Sequence, residues 1–163
     1  MSRTKKLPDD VKMNCISLVK GYDRRRREYR LRREELMNTT PNNIITLRDP
    51  DDPDNENKHE GVLLPGSHYA SRTTEDVTER ILGLENQPDT QRMRAVEYAA
   101  DRIGMDLVDK AERNALRKAI FLSCTQGRKY PFERLGIVGM ERSCFYDRRM
   151  KFLTDIAKYM DMI

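Results

Sequence analysis

Apolar residues recur every three or four positions along most of this chain, a spacing typical of packed α-helices. One helical repeat runs from Pro8 to about Met37, and a second begins near Thr74 and continues almost to the end. Residues that commonly start or stop helices interrupt the second repeat at Pro88, Gly104, Gly127 and Gly136. The pattern therefore predicts an all-α protein built as a small helical bundle.

The repeat stops between the two helical regions. Residues 39–73 form a stretch that contains Pro and Gly and is acidic from Asp49 to Gly61, which predicts an irregular linker. We expect three parts: an N-terminal basic helix (1–38), the linker (39–73) and a helical domain (74–163). So long a linker is unusual inside a compact domain, which favours an N-terminal helix that stands apart or packs on a partner chain. Thr74 is the predicted cap of the next helix, and Ile81, Leu82 and Leu84 its inward side.

The cysteines and histidines indicate no metal or disulfide chemistry. The three cysteines have no CxxC spacing, and the two histidines have no cysteine pair nearby. We expect Cys15 and Cys144 to be small core residues and leave Cys124 open. No secretory signal or long apolar run appears, so the sequence predicts a reduced, cytoplasmic protein without a membrane partner. No phosphate loop, nucleotide turn or catalytic motif is present, and we expect neither an enzyme nor a cofactor.

Positive charge is concentrated near the C-terminus. The chain has 31 Lys and Arg against 27 Asp and Glu, a net charge of +4 that identifies no class of partner by itself. Between Arg128 and Lys151 there are seven basic and three acidic residues, so this segment alone carries +4.

The same segment reads as a helix-turn-helix at about 130–160. A short helix is predicted from Pro131 to Gly136, and a second one from about Glu141 to Met160 with Phe145, Phe152 and Leu153 inward. Such a second helix fits the DNA major groove, with its first turns at the base edges and flanking cations on phosphates. The predicted DNA-binding residues are Arg128, Lys129, Arg142, Ser143, Tyr146, Arg148, Arg149 and Lys151.

A second basic run lies in the N-terminal helix, from Arg24 to Glu35. Three interpretations remain open: a solvated helix face, a second phosphate-binding surface, or the charged border of a coiled-coil or partner-docking seam. The phosphate-binding interpretation involves Arg24, Arg25, Arg26, Arg27 and Arg30.

The C-terminal region resembles phage transcriptional regulators of the ArpU and RinA type, whose C-terminal part is similar to region 4 of sigma-70 family factors. The resemblance depends on Pro131, Phe132 and Leu135 in the first helix and on Ser143, Phe145, Tyr146, Arg148, Arg149 and Leu153 in the second. It implies a phage or prophage regulator of late or packaging genes in a bacterial host. It also implies that Tyr146, Arg148 and Arg149 face DNA.

Three functions follow from these observations. The favoured one is a sequence-specific transcriptional regulator that binds double-stranded DNA. The alternatives are a DNA-packaging subunit of the small-terminase kind and a helical adaptor that binds RNA polymerase or another protein. Each is compatible with a homo-oligomer.

Overall fold

The computed structural model describes residues 7–38 and 68–163, without the side chains of residues 68–74 and of Arg128. Within these ranges the chain forms six α-helices and no strand, which confirms the all-α class. The helices are α1 (Asp9–Lys20), α2 (Tyr22–Asn38), α3 (His68–Glu85), α4 (Pro88–Asp101), α5 (Lys110–Gln126) and α6 (Arg142–Tyr159). Two 3-10 helices, Gly127–Lys129 and Phe132–Arg134, lie between α5 and α6.

The chain divides into two compact units. Among the described residues, the first contains residues 7–27 together with Pro88–Ile163, and the second contains residues 28–38 and 68–87. Because the division falls within α2, that helix contributes residues to both.

The core of the first unit is assembled around α6. Phe145, Phe152, Leu153 and Ile156 have at most 1% of their surface exposed, and they recur at the spacing of one helix face. Helices α1 and α4 pack against α6, and α1 also packs against α5. The ring of Phe152 lies 5.5 Å from that of Phe121 on α5, in a tilted arrangement.

Helix α1 belongs to this core, contrary to the expectation of a separate N-terminal helix. Cys15, Leu18 and Val19 are buried in the same cluster as the apolar residues of α4, α5 and α6. The apolar stripe of α1 thus has its partner within the chain, although many residues separate it from that partner in sequence.

The predicted continuous helix from Pro8 to Met37 is interrupted at Gly21. The Arg25 guanidinium lies over this glycine, so closely that a Cβ there would come within 2.8 Å of Nη1. From this position Arg25 donates a hydrogen bond of 3.0 Å to the Leu18 carbonyl, at the end of α1. Its Nε also lies 3.3 Å from Asp89 of α4. Glycine therefore gives Arg25 the space to connect α1 with α4.

The second unit contains most of α2 and all of α3. Helix α3 begins at His68, so Thr74 is an interior residue and not the predicted cap. Leu84 is buried, but Leu82, which we expected on the inward side, is 57% exposed. The Tyr29 hydroxyl donates to the Glu85 carboxylate, and Arg32 Nη1 donates to Gln87 Oε1 at 2.8 Å. The two helices thus contact each other through polar groups as well as Leu84.

None of the helices in the described ranges is both long and apolar enough to cross a bilayer.

Candidate nucleic-acid interface

A buried phenylalanine fixes the start of α6. Phe145 is fully buried, and its ring lies 5.4 Å from that of Phe132 in the preceding segment. Glu141 is the N-cap residue with an extended backbone, and its carbonyl accepts the Phe145 N–H at 3.0 Å. The helix begins at Arg142, as predicted to within one residue. With Phe145 inward, its neighbours Arg142, Ser143 and Tyr146 are exposed.

The first helix of the predicted helix-turn-helix is only one 3-10 turn, Phe132–Arg134. Pro131 precedes it with an extended backbone, and Gly136 follows it with φ of +65°, a conformation that ends a helix. The turn before α6 contains a second such residue, Gly139, with φ of +79°. This segment therefore orients α6 through Phe132 and a glycine turn, without a complete first helix.

Three of the predicted DNA-binding residues form an exposed group on the first turns of α6. The Arg142 guanidinium lies 5.8 Å from the centre of the Tyr146 ring, and Tyr146 packs edge-on against Phe145. Arg142 Nη1 also lies 3.4 Å from Glu133 Oε1, and both side chains are more than 60% exposed. Ser143 Oγ lies 3.5 Å from Glu141 Oε2. We call Arg142, Ser143 and Tyr146 the α6 tip.

Arg148 is directed to a different partner. Its two terminal nitrogens bind both oxygens of Asp106, at 2.8 and 2.6 Å, in a bidentate ion pair between α6 and the turn after α4. This hydrogen bonding lowers the pKa of Asp106 to about 2 and raises the pKa of Arg148. The guanidinium that the resemblance assigns to DNA is therefore neutralised within the protein.

Arg149 lies towards the interior. It is four residues after Phe145 and three before Phe152, so it shares their face of the helix. It is only partly exposed, and its Nε is buried without a hydrogen-bond partner in the described part of the protein. Lys151, in contrast, is exposed on the opposite side. The predicted cations of α6 are thus distributed around the helix and do not form one face.

A groove of about 730 Å³ runs beside α6 on the Arg148 side. It has basic and acidic side chains in nearly equal number, so it is not a positive surface. Its charged residues are Arg102, Asp106, Asp147, Arg148, Lys151, Asp155 and Lys158. The α6 tip lies outside this mixed groove, on the side of the Phe132–Arg134 turn.

Of the three cations in the segment before α6, two have side chains that the structure describes. Lys129 lies in the first 3-10 helix and is exposed, as is Arg134 in the second. The side chain of Arg128 is outside the described residues. Lys129 and Arg134 therefore add positive charge to the segment that leads to the α6 tip.

The arginines of α2 do not behave as one surface. Arg25 has a side chain only 10% exposed and is bound to Leu18 and Asp89, which is a structural role. Arg26 is exposed and lies 5.9 Å from the centre of the Tyr22 ring, and Arg27 Nε donates to the Asp23 carbonyl at 3.4 Å. Arg24 and Arg30 are exposed.

Sequence reasoning missed the acidic partners. Asp106 and Glu133 bind the two arginines to which DNA contacts were assigned, Arg148 and Arg142. No signal in the sequence indicates these pairs, because they join residues 42 and nine positions apart. A helical pattern gives only the spacing within one helix, and these partners lie outside α6.

In the described ranges there is no group of three or more His, Cys, Asp or Glu side chains that could hold a metal ion. Searches against protein-family models, curated proteins and solved structures found no match for this chain.

Proposed function

We propose that the protein is a sequence-specific DNA-binding transcriptional regulator that is not an enzyme. The observation that carries this proposal is the α6 tip, an exposed Arg, Ser and Tyr on the first turns of a helix held from behind by Phe145. The resemblance to ArpU and RinA type regulators extends the proposal to a phage or prophage protein that controls late or packaging genes.

The chemistry of the α6 tip fits a base edge or a phosphate. Arg can bind guanine through two hydrogen bonds, while Ser and Tyr hydroxyls bond to bases or backbone. The ion pair of Arg142 with Glu133 is 3.4 Å long and exposed on both sides, and such pairs contribute little free energy. Arg142 can therefore exchange Glu133 for a nucleic acid at small cost.

The cations of the segment before α6 would bind phosphates beside the tip. Lys129 and Arg134 are exposed, and phosphate contacts of this kind supply affinity without sequence preference. Lys151 is exposed further along α6, in the mixed groove. Arg148 and Arg149 contribute less to phosphate affinity, because Arg148 is bound to Asp106 and Arg149 is partly buried.

The test is a selection of DNA sequences from a random library with the purified full chain, followed by affinity measurements at several salt concentrations. We expect one enriched sequence, and Arg142→Ala should weaken its binding by about 1–3 kcal/mol if Arg142 reads a base. Lys158→Ala is the matched control: it removes a cation from the same helix about 24 Å further along, at about 1.5 Å per residue.

Different outcomes separate the alternatives. An equal loss of affinity for all sequences, with a salt dependence reduced by about one ion, would make Arg142 a phosphate contact. A selection with no enriched sequence at moderate salt would contradict the regulator function. A ring of many copies in a mass measurement would favour the packaging subunit.

One observation favours the adaptor as a second candidate. An apolar groove of about 410 Å³ lies between α5 and the glycine turn, lined in part by Leu107, Ala111, Ala115, Ile137 and Met140. Val138 at its border is 95% exposed. Ala111 and Ala115 are exposed, which leaves an apolar surface of the kind found at protein contacts. Loss of RNA polymerase binding in Val138→Asp, with DNA selection unchanged, would support the adaptor.

A further inference from the structure

Two carboxylates lie beside the α6 tip, which is unexpected for a surface proposed to bind a polyanion. Glu141 is the N-cap residue of α6, and its Oε2 lies 3.5 Å from Ser143 Oγ. Its charge is also favourable at the N-terminus of a long helix, because the helix dipole is positive there. Glu133 lies outside α6, in the 3-10 turn before it, and 62% of its side chain is exposed. The presence of Glu133 at the tip therefore needs a different explanation.

Glu133 is held next to Arg142. The turn that contains it is attached to α6 by the Phe132 ring, which lies 5.4 Å from the buried Phe145 ring. Among the described residues Glu133 makes one ion pair, in which its Oε1 lies 3.4 Å from Arg142 Nη1. The Arg142 guanidinium also lies 5.8 Å from the centre of the Tyr146 ring. A cationic donor group and an anionic acceptor group are thus exposed side by side at the start of α6.

A carboxylate in a DNA interface needs a hydrogen-bond donor, since phosphates repel it and the loss of its ion pair to DNA leaves it without a partner. On the base edges of the major groove, the donors are the N4 amino group of cytosine and the N6 amino group of adenine. Adenine also presents its N7 acceptor beside that amino group, and this acceptor repels the second carboxylate oxygen. Cytosine presents only the donor, so cytosine is the base that fits Glu133.

The distance between the two side chains relates them to neighbouring base pairs. An arginine that binds both N7 and O6 of guanine has its guanidinium in the plane of that base pair. The next base pair is stacked about 3.4 Å away. A carboxylate that stays 3.4 Å from the Arg142 guanidinium therefore reaches the edge of the adjacent base pair.

We propose that Glu133 is a specificity-determining residue, which accepts a hydrogen bond from cytosine N4 in the base pair next to the guanine that Arg142 binds. This role rests on the proposed function and extends it, because it makes the α6 tip a reader of guanine and cytosine in adjacent base pairs. The charges fit these bases: the guanine edge presents two acceptors to the guanidinium, and the cytosine edge presents a donor to the carboxylate.

The test repeats the random-library selection with the full chain and two variants of Glu133. The wild type should select a guanine next to a cytosine, and replacement of that cytosine should weaken its binding about five- to tenfold. Glu133→Ala should remove the preference for cytosine and keep that for guanine. Glu133→Gln should select adenine in place of cytosine, because a side-chain amide binds both N6 and N7 of adenine. A loss of structure would weaken binding without such an exchange of one base for another.

Glu141→Gln is the matched control, because it removes the same charge from the same end of α6. Like Glu133→Gln, it should raise the affinity for non-specific DNA by reducing the repulsion of phosphates, but it should leave the selected bases unchanged. An enriched sequence without the cytosine, or one that both Glu133 variants leave unaltered, would overturn the role of Glu133 and leave the regulator function standing. A wild-type selection without any enriched sequence would overturn both.

Discussion

The Asp106–Arg148 pair decides which cations of α6 are available to a ligand. Both terminal nitrogens of the Arg148 guanidinium bind the Asp106 carboxylate, which offsets its charge and makes it a weaker phosphate ligand. Arg142 has a longer, single contact with Glu133. Two arginines on the same helix therefore differ in availability because of residues outside that helix.

This pair predicts a specific dependence of stability on pH. The pKa of Asp106 is about 2 in the folded protein and ordinarily 3.8, so the unfolded chain binds more protons in this interval. The stabilisation should be fully present above about pH 4 and lost as the pH falls towards 2. Urea unfolding between pH 2 and 5 should show this loss in the wild type and a smaller one in Asp106→Asn.

A direct titration separates this pair from the other carboxylates. The side-chain carboxyl carbon of Asp106 should titrate near pH 2 by NMR, and at a higher pH in Arg148→Met, where a backbone hydrogen bond and Lys151 still lower the pKa. A titration near 3.8 in the wild-type protein would show that the bidentate pair does not form in solution.

The three cysteines should differ sharply in reactivity. The thiolate is the reactive form, and burial raises the pKa of Cys15 to about 11 and raises that of Cys124. Cys144, which we expected in the core, is exposed on α6. A thiol reagent at pH 8 should therefore modify one cysteine per native chain and three in denaturant.

Peptide mapping would locate the modified cysteine, and Cys144→Ser is the matched control, since it should remove the native reaction entirely. Rapid modification of Cys15 in native protein would contradict its burial between α1 and the other core helices.

At the scale of single elements, local sequence patterns predicted the positions of helices well, but not the contacts of their side chains with other elements. Helices α4 and α6 begin within one or two residues of the predicted positions, because Pro88 and the spacing of Phe145 with Phe152 are local signals. The break at Gly21 was missed because it depends on Arg25 reaching Leu18 and Asp89. The ion pair of Arg148 likewise depends on Asp106, a residue outside α6 that the helical period cannot reveal.

Two glycines should respond in opposite directions to the same substitution. Gly139 has φ of +79° and Gly83 is inside α3, and an added Cβ at either has no heavy atom within 4 Å. Gly139→Ala should cost about 1–2 kcal/mol, because the left-handed backbone strains any residue with a Cβ. Gly83→Ala should stabilise its helix by about 0.5–1 kcal/mol, because alanine loses less backbone conformational entropy on folding than glycine does.

Urea unfolding measures the first effect, and amide exchange within α3 measures the second. A neutral Gly139→Ala would mean that the turn before α6 adopts a different backbone conformation in solution. Faster exchange in the α3 of Gly83→Ala would mean that this segment is not helical.

For the molecule as a whole, the largest difference from the sequence prediction concerns α1. The helical repeat ends after Asn38, which suggested a separate N-terminal helix. The sequence shows where such a repeat ends, but it does not show which helices its apolar side packs against. The stripe of α1 is covered by α5 and α6, so the first unit is closed by residues from both ends of the sequence. Contacts so distant in sequence leave no local signal.

The contribution of α1 to this core can be measured with two substitutions in the same helix. Leu18 is 8% exposed and lies in the cluster with α5 and α6, so Leu18→Ala should destabilise the first unit by about 2–5 kcal/mol. Met13 is 62% exposed, and Met13→Ala should change stability by less than about 0.5 kcal/mol. Amide exchange should accelerate throughout α5 and α6 in the first variant alone. Unchanged exchange in α5 and α6 would indicate that α1 is a separate helix, as the sequence pattern suggests. If α1 covers the core, the loss of the Leu18 side chain must loosen the helices that pack against it.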